Sequence, residues 1–258
     1  GGVFHMISDL ASTRLGMLAP SSNTVLEPMT FSMLANQSDI SVHFSRFRVL
    51  KISLEADSLD HFSNFPMLEA ADLLADAKVQ SICWNGTSSG WLGFEKDSAL
   101  IAEIEARTGI NACSSILAMN ELLAKFNAKR ICFITPYLSE IQQKILNNYR
   151  LKGYEIAAEK HLGDPSNFSF ATYSEADKLE LCRAVANERP DAIRIFCTNF
   201  RGAQLAPLIE EETGITVLDS VSTALWKSIQ VAGGEPKTIR GWGRLFDVFT
   251  IPYWIRRF

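Results

Sequence analysis

Ile104-Glu105-Ala106-Arg107-Thr108-Gly109-Ile110 returns 105 positions later as Ile209-Glu210-Glu211-Glu212-Thr213-Gly214-Ile215. Each copy reads as a helix end closed by Thr-Gly, because glycine enters the left-handed conformation that stops a helix at no steric cost, and a β-branched residue then opens the next extended run. Two further pairs keep the same order. Residues 14–19 run into Pro20-Ser21 as residues 130–135 run into Pro136-Tyr137, 116 positions on, and the loop Gly86-Thr87-Ser88 matches Cys197-Thr198-Asn199, 111 positions on. Three features in one order at nearly one offset describe two similar halves.

Working outward from these repeats, short β-rich runs (14–19, 41–50, 79–84, then 130–135, 154–158, 192–196) alternate with stretches of helical period (66–77, 98–108, 116–126, 140–152, 175–187, 203–213). That rhythm predicts an α/β protein of two pseudo-symmetric lobes, each a mainly parallel sheet flanked by helices. The expected division is 7–124 plus 226–258 for the N-terminal lobe and 125–225 for the C-terminal lobe. Ligands bind at the carboxyl ends of such strands, which puts the expected active site in the cleft between the lobes.

Composition narrows the function. Across 258 residues, 25 Lys+Arg against 29 Asp+Glu give a net charge of −4, and no block of like charge offers a phosphate backbone a partner, so nucleic acid is excluded as the expected ligand. No stretch reaches the roughly 18 apolar residues of a membrane span. Five scattered cysteines with no CxxC pair, and four histidines without ligand spacing, argue against a disulfide framework or a structural metal site and for a reducing cytoplasm. Gly1 to Met6 reads as a cloning remnant rather than a signal peptide. Residues 246–258 are rich in apolar groups and end in Arg256-Arg257-Phe258, a tail expected on its own lobe first, at a subunit interface second and at a membrane surface third.

Four loops are expected to converge on the cleft: Pro20-Ser21-Ser22-Asn23-Thr24, Gly86-Thr87-Ser88-Ser89-Gly90, Pro136-Tyr137, and Cys197-Thr198-Asn199-Phe200-Arg201-Gly202. Gly, Ser and Thr at helix starts present N–H groups and hydroxyls to an anion. In the absence of GxxxxGK[ST] or GxGxxG, the expected anion is a carboxylate. Cys197 stands where an apolar strand meets a polar loop, so its thiol is expected to be reached by ligand, tuned toward neutrality by helix N-terminal amides, and able to exchange a proton at carbon. Cys83, Cys113, Cys132 and Cys182 lie inside regular runs and read as buried packing groups. Tyr137, the counterpart of Ser21, reads as a phenol donor to the carboxylate. Asn167 lies in a Pro-Ser-Asn-Phe loop. His43, His61 and His161 read as surface or satisfied core residues.

These loops, with Glu27, Thr135 and the Gly241-Trp242-Gly243-Arg244-Leu245 segment, resemble the aspartate/glutamate racemase superfamily over nearly the whole chain, and more narrowly its maleate isomerase and arylmalonate decarboxylase branch. The resemblance implies a cofactor-free and metal-free site acting on a small carboxylic or dicarboxylic acid, with one cysteine from each lobe flanking the reacting carbon. Here the second cysteine is Cys197, and the first position holds Gly86. Glycine there is similar to the decarboxylases, in which the surviving thiol protonates an enediolate held in an oxyanion hole. By carry-over, Thr87, Ser88 and Tyr137 would hold the retained carboxylate, with Pro20, Ser21 and Thr198 around them. Asn23 and Asn167, and the Cys-Thr-Asn form in place of Cys-Gly-Gly, resemble the isomerases instead. Cys83 would replace the missing thiol only if the loop alignment slipped by three residues. The leading expectation is therefore a carboxy-lyase. The alternatives are a maleate isomerase or Asp/Glu-type racemase relative and a catalytically reduced dicarboxylate-binding protein; a homo-oligomer is left open.

Overall fold

The computed structural model describes residues 11–49 and 64–248. The opening hexapeptide, His61 and the tail beyond residue 248 lie outside the described residues. The first half runs β1 (Thr13–Pro20), α1 (Leu26–Met33), β2 (Ile40–Phe47), α2 (Asn64–Asp76), β3 (Ser81–Trp84), the single turn α3 (Ser89–Leu92), α4 (Glu95–Thr108), β4 (Ala112–Ser114) and α5 (Ser115–Lys125). The second half repeats it: β5 (Arg130–Thr135), α6 (Ser139–Leu151), β6 (Glu155–His161), α7 (Glu175–Ala186), β7 (Ala192–Ile195), α8 (Ala206–Thr213), β8 (Thr216–Asp219) and α9 (Ser220–Val231).

The strands form two four-stranded parallel sheets, ordered β2-β1-β3-β4 and β6-β5-β7-β8. Each order is the other shifted by one half, as the internal repeat predicts. The central strands are buried along their length, β3 and β7 at every residue, because helices cover both faces of a parallel sheet.

The Thr-Gly signals close α4 and α8 in the same way. Gly109 and Gly214 take φ of 71° and 72°, the threonine hydroxyls donate to Ile104 O and Ile209 O at 2.7 Å, and they accept from the N–H of Ile110 and Ile215 at 3.2 Å. The equivalence extends 105 positions apart into the next turn, where Ser114 caps α5 and Asp219 caps α9.

Some boundaries differ from expectation. The 203–213 helix is split, because Pro207 has no N–H to donate and so favours a helix start: a 3-10 turn at Ala203–Leu205 precedes α8. The run at 41–50 is β2, Ile40–Phe47. Three helices lie outside the stretches of helical period: α1, which contains Pro28, the single turn α3, too short to show a period, and α9, whose Ser220, Ser222, Thr223 and Ser228 mask its apolar period. In α9 those small side chains are buried. Ser228 Oγ donates to Ala224 O at 2.7 Å, and across the helix pair Ser115 Oγ donates to Ser220 O at 2.6 Å. Such internally satisfied hydroxyls let α9 leave β8 and pack closely on α5, β4 and β3 of the first sheet. Among the described residues no helix is long and apolar enough to cross a membrane.

Candidate active site

Four strand ends meet where the sheets face each other. β1 delivers Pro20, β3 delivers Trp84 and Gly86-Thr87-Ser88, β5 leads to Tyr137, and β7 leads to Cys197-Thr198. Together with Val49, Trp91 and Asn167 they line a narrow, partly open cavity. Of the residues expected from sequence, Pro20, Gly86, Thr87, Ser88, Tyr137, Asn167, Cys197 and Thr198 line it.

Ser21 and Asn23 do not line it, for a visible reason: both are committed elsewhere. The Ser21 hydroxyl accepts from Val49 N at 2.9 Å. Asn23, 1 % exposed, accepts from Val25 N and Leu26 N at 2.9 Å and donates to Thr198 O and Oγ1 at 3.2 and 3.3 Å. It ties the start of α1 to the thiol loop. Asn199 does the same in reverse, accepting from Thr24 N at 2.9 Å and donating to Asn167 O, while Asn167 Nδ2 donates to Ser22 Oγ at 2.8 Å. Thr198 Oγ1 donates to Asn85 O at 2.9 Å. This amide lattice fixes the two lobes around the cavity. It was invisible in the sequence because its partners lie 32 to 175 residues apart. Glu27 is outside, paired with Arg46 at 2.8 Å.

Cys197 holds the least ordinary backbone of the site, with φ of 151°, a region L-residues rarely adopt and that costs about 1–3 kcal/mol. Its N–H donates to Ser220 Oγ at 3.1 Å, and its sulfur accepts from Asn199 N at 3.3 Å. The next helical turn begins only at Ala203, six residues beyond the thiol, and the one backbone amide bonded to the sulfur is that of Asn199, in a turn rather than at the expected helix N-terminus. Burial dominates instead and pushes the thiol up to about 12, against which the Asn199 amide and the Tyr137 hydroxyl pull weakly downward. At neutral pH the group is a thiol, a proton source rather than a thiolate. Tyr137 is 2 % exposed, hydrogen-bonded to Thr87 Oγ1 and boxed by the rings of Trp91 and Phe170 at 5.1 and 5.5 Å. Burial and the neighbouring Cys197 raise its phenol as well, so it too stays neutral.

The other cysteines are buried in regular structure. Cys83 pairs in register with Cys113 on β4 and interacts with Cys113 and Ser228, away from the cavity lined by Trp84, as alternation along a strand requires. It does not stand in for a thiol at position 86. His161, expected as a surface or satisfied core residue, is half-buried with its Nδ1 2.9 Å from Glu159 Oε2 on the same strand face; His43 contacts Ser41 Oγ.

Sequence reading missed Trp84. Strand alternation was the available signal: residues 84 and 86 lie on one face, and a glycine leaves its neighbour's space open. A Cβ built on Gly86 would lie 1.9 Å from Trp84 Cζ2, so the indole occupies the volume a side chain at 86 would need.

A family model described as arylmalonate decarboxylase matches residues 45–246. The chain belongs to the arylmalonate decarboxylase family. It thereby falls in the branch of Asp/Glu racemase-like proteins that holds the maleate isomerases and arylmalonate decarboxylases. A maleate isomerase of Geobacillus stearothermophilus is 22 % identical over 227 residues, covering 84 % of this chain and 90 % of that protein. An arylmalonate decarboxylase of Bordetella bronchiseptica is 24 % identical over 165 residues, 63 % of this chain and 69 % of that one. The same fold occurs in a mutant of Nocardia farcinica maleate cis-trans isomerase with a covalently bound succinylcysteine intermediate, at a TM-score of 0.83 and 20 % identity, over 92 % of this chain and 99 % of that one.

Proposed function

We propose that this protein is a cofactor-independent carboxy-lyase that decarboxylates a substituted malonate and protonates the product from Cys197. The observation that carries the reading is the asymmetry of the cavity: a protonated, buried thiol on one side and a glycine backed by an indole on the other. Chemistry needing two facing thiols lacks its second group among the described lining residues.

In the proposed reaction the bond from the central carbon to one carboxylate breaks, and CO2 leaves. The electron pair moves into the remaining carboxylate as an enediolate. Neutral donors aimed at that charge stabilise it in a site lined by buried side chains. The Tyr137–Thr87 hydroxyl pair, in which one O–H donates to the other oxygen and the second stays free, supplies one, joined by the N–H groups of Thr87, Ser88 and Thr198, which bond no other described residue. The S–H proton of Cys197 then passes to carbon from one face, and water returns a proton to the thiolate.

Maleate isomerisation is the second reading. It is favoured by the Cys197-Thr198-Asn199 form and by curated relatives that are mostly named maleate isomerase. Incubation with a malonate and, separately, with maleate tests the choice. CO2 release that is lost in Cys197→Ala supports decarboxylation, whereas fumarate formed from maleate without CO2 overturns it.

A further inference from the structure

The Cys197 cavity is narrow, leaving about 20 Å³ for the centre of a water-sized sphere to move in, so the groups that bound it limit the acid it can hold. Most walls are backed by packed protein: Tyr137 by Trp91 and Phe170, and the Cys197 loop by the asparagine lattice. Trp84 differs. Its indole, 1 % exposed and tilted against Phe47 at 5.1 Å, also lines a second, open cleft of about 590 Å³. Among the described residues that cleft is bounded by Phe65, Met67, Leu92, Lys96, Asp97 and Leu100, with Ser88 shared between the two spaces.

We propose that Trp84 is the specificity-determining partition of the active site: its indole separates the Cys197 cavity from this cleft and sets the largest substituent the acid can carry. With the indole in place, the substrate class is a small acid whose substituent is no larger than a few carbons. With a small residue at 84 the two spaces join, and the apolar side of the cleft, Phe65, Met67, Leu92 and Leu100, becomes a subsite for an aryl or long alkyl group. The assignment rests on the carboxylate-binding reading above. It uses two independent features, the indole filling the space beside Gly86 and the same indole facing both spaces.

The test compares two acids of one chemistry and different size, 2-methylbut-3-enoate and 2-phenylpropionate, by calorimetric binding to the wild type, Trp84→Ala and Trp84→Leu. Turnover of the parent 2-methyl-2-vinyl- and 2-methyl-2-phenylmalonates is measured alongside. The expected result is that Trp84→Ala improves 2-phenylpropionate binding at least tenfold relative to the smaller acid, with Trp84→Leu between it and the wild type. The phenyl-to-vinyl ratio of kcat/KM should shift in the same order. Leu retains much of the lost volume, so it reports even where the alanine variant fails to fold. An unchanged preference in a folded variant that binds the small acid, or an equal loss of both acids, overturns the partition. If binding shifts as expected but no malonate is turned over by any form, the decarboxylase reading fails while the partition stands.

Discussion

The end of β3 and the end of β7 are the same place in two copies of one fold, yet they carry opposite chemistry. After β7 the chain turns into Cys197 at a strained φ of 151°, holding a thiol over the cavity. After β3 it turns into Gly86, with the Trp84 indole lying across it. The helix caps, the strand order and the capping residues one turn further on repeat between the halves, so the scaffold has kept its symmetry while the site has not. The difference teaches that the two strand ends are told apart by one side chain each, and that an acid bound as proposed would meet a thiol on one face and an indole on the other.

Removing the thiol should break the comparison most. Cys197→Ala is expected to lower turnover by about 10³-fold or more, the scale of a positioned general acid in a site that keeps its other donors. Residual activity near the wild-type level in a correctly folded variant would move the proton source elsewhere.

Restoring symmetry comes next. Gly86→Cys alone has no room for its Cβ and should be destabilised by about 1–3 kcal/mol, the usual cost of overpacking, with no new activity. Combined with Trp84→Ala, the second thiol gains its space. The double variant is then expected to exchange the α-proton of a bound chiral acid with deuterated solvent and to erode its optical purity. Exchange in the single variant, at unchanged stability, would show that the indole does not hold that position. Tyr137→Phe, which removes one donor from the cavity and leaves the ring, should lower kcat by about 10²-fold with little change in thermal stability.

A smaller effect separates the two cap positions Ser114 and Asp219. Asp219 is fully buried, and burial pushes it up to about 7 although the Val221 and Ser222 amides pull it down. Its contribution is present in acid, below the unfolded carboxylate value of about 3.9, and is lost as pH rises through 7. Asp219→Asn keeps an oxygen for both amides, so its stability relative to the wild type should rise between pH 4 and 7, by an amount on the order of a few kcal/mol. Denaturant midpoints across that window check the sign, and parallel curves would contradict it. The smallest effect tests the symmetry itself: Thr108→Val and Thr213→Val remove the same two hydrogen bonds and should each cost about 1 kcal/mol.

Local chemistry made half of this readable in the sequence. Thr108-Gly109 and Thr213-Gly214 specify their own caps, and apolar runs ending in small polar residues mark strand ends, so Gly86, Thr87, Tyr137 and Cys197 could be assembled before any coordinates. What could not be read depends on distant packing. The burial that pushes the Cys197 thiol up comes from both lobes, and Asn23 and Asn199 are claimed by partners 175 residues away. The space Trp84 fills is bounded by the ring of Phe47 on β2, a strand two places away in the sheet and 37 residues earlier in the chain.

The central claim, one protonated thiol acting on one face, is tested most directly by decarboxylating 2-methyl-2-vinylmalonate in D2O and analysing the product acid. The account predicts one equivalent of CO2 and a single enantiomer of 2-methylbut-3-enoate carrying one deuterium at the α-carbon, with its formation slowed by about 10³-fold or more in Cys197→Ala. A racemic product, or undiminished CO2 release from Cys197→Ala, would contradict it.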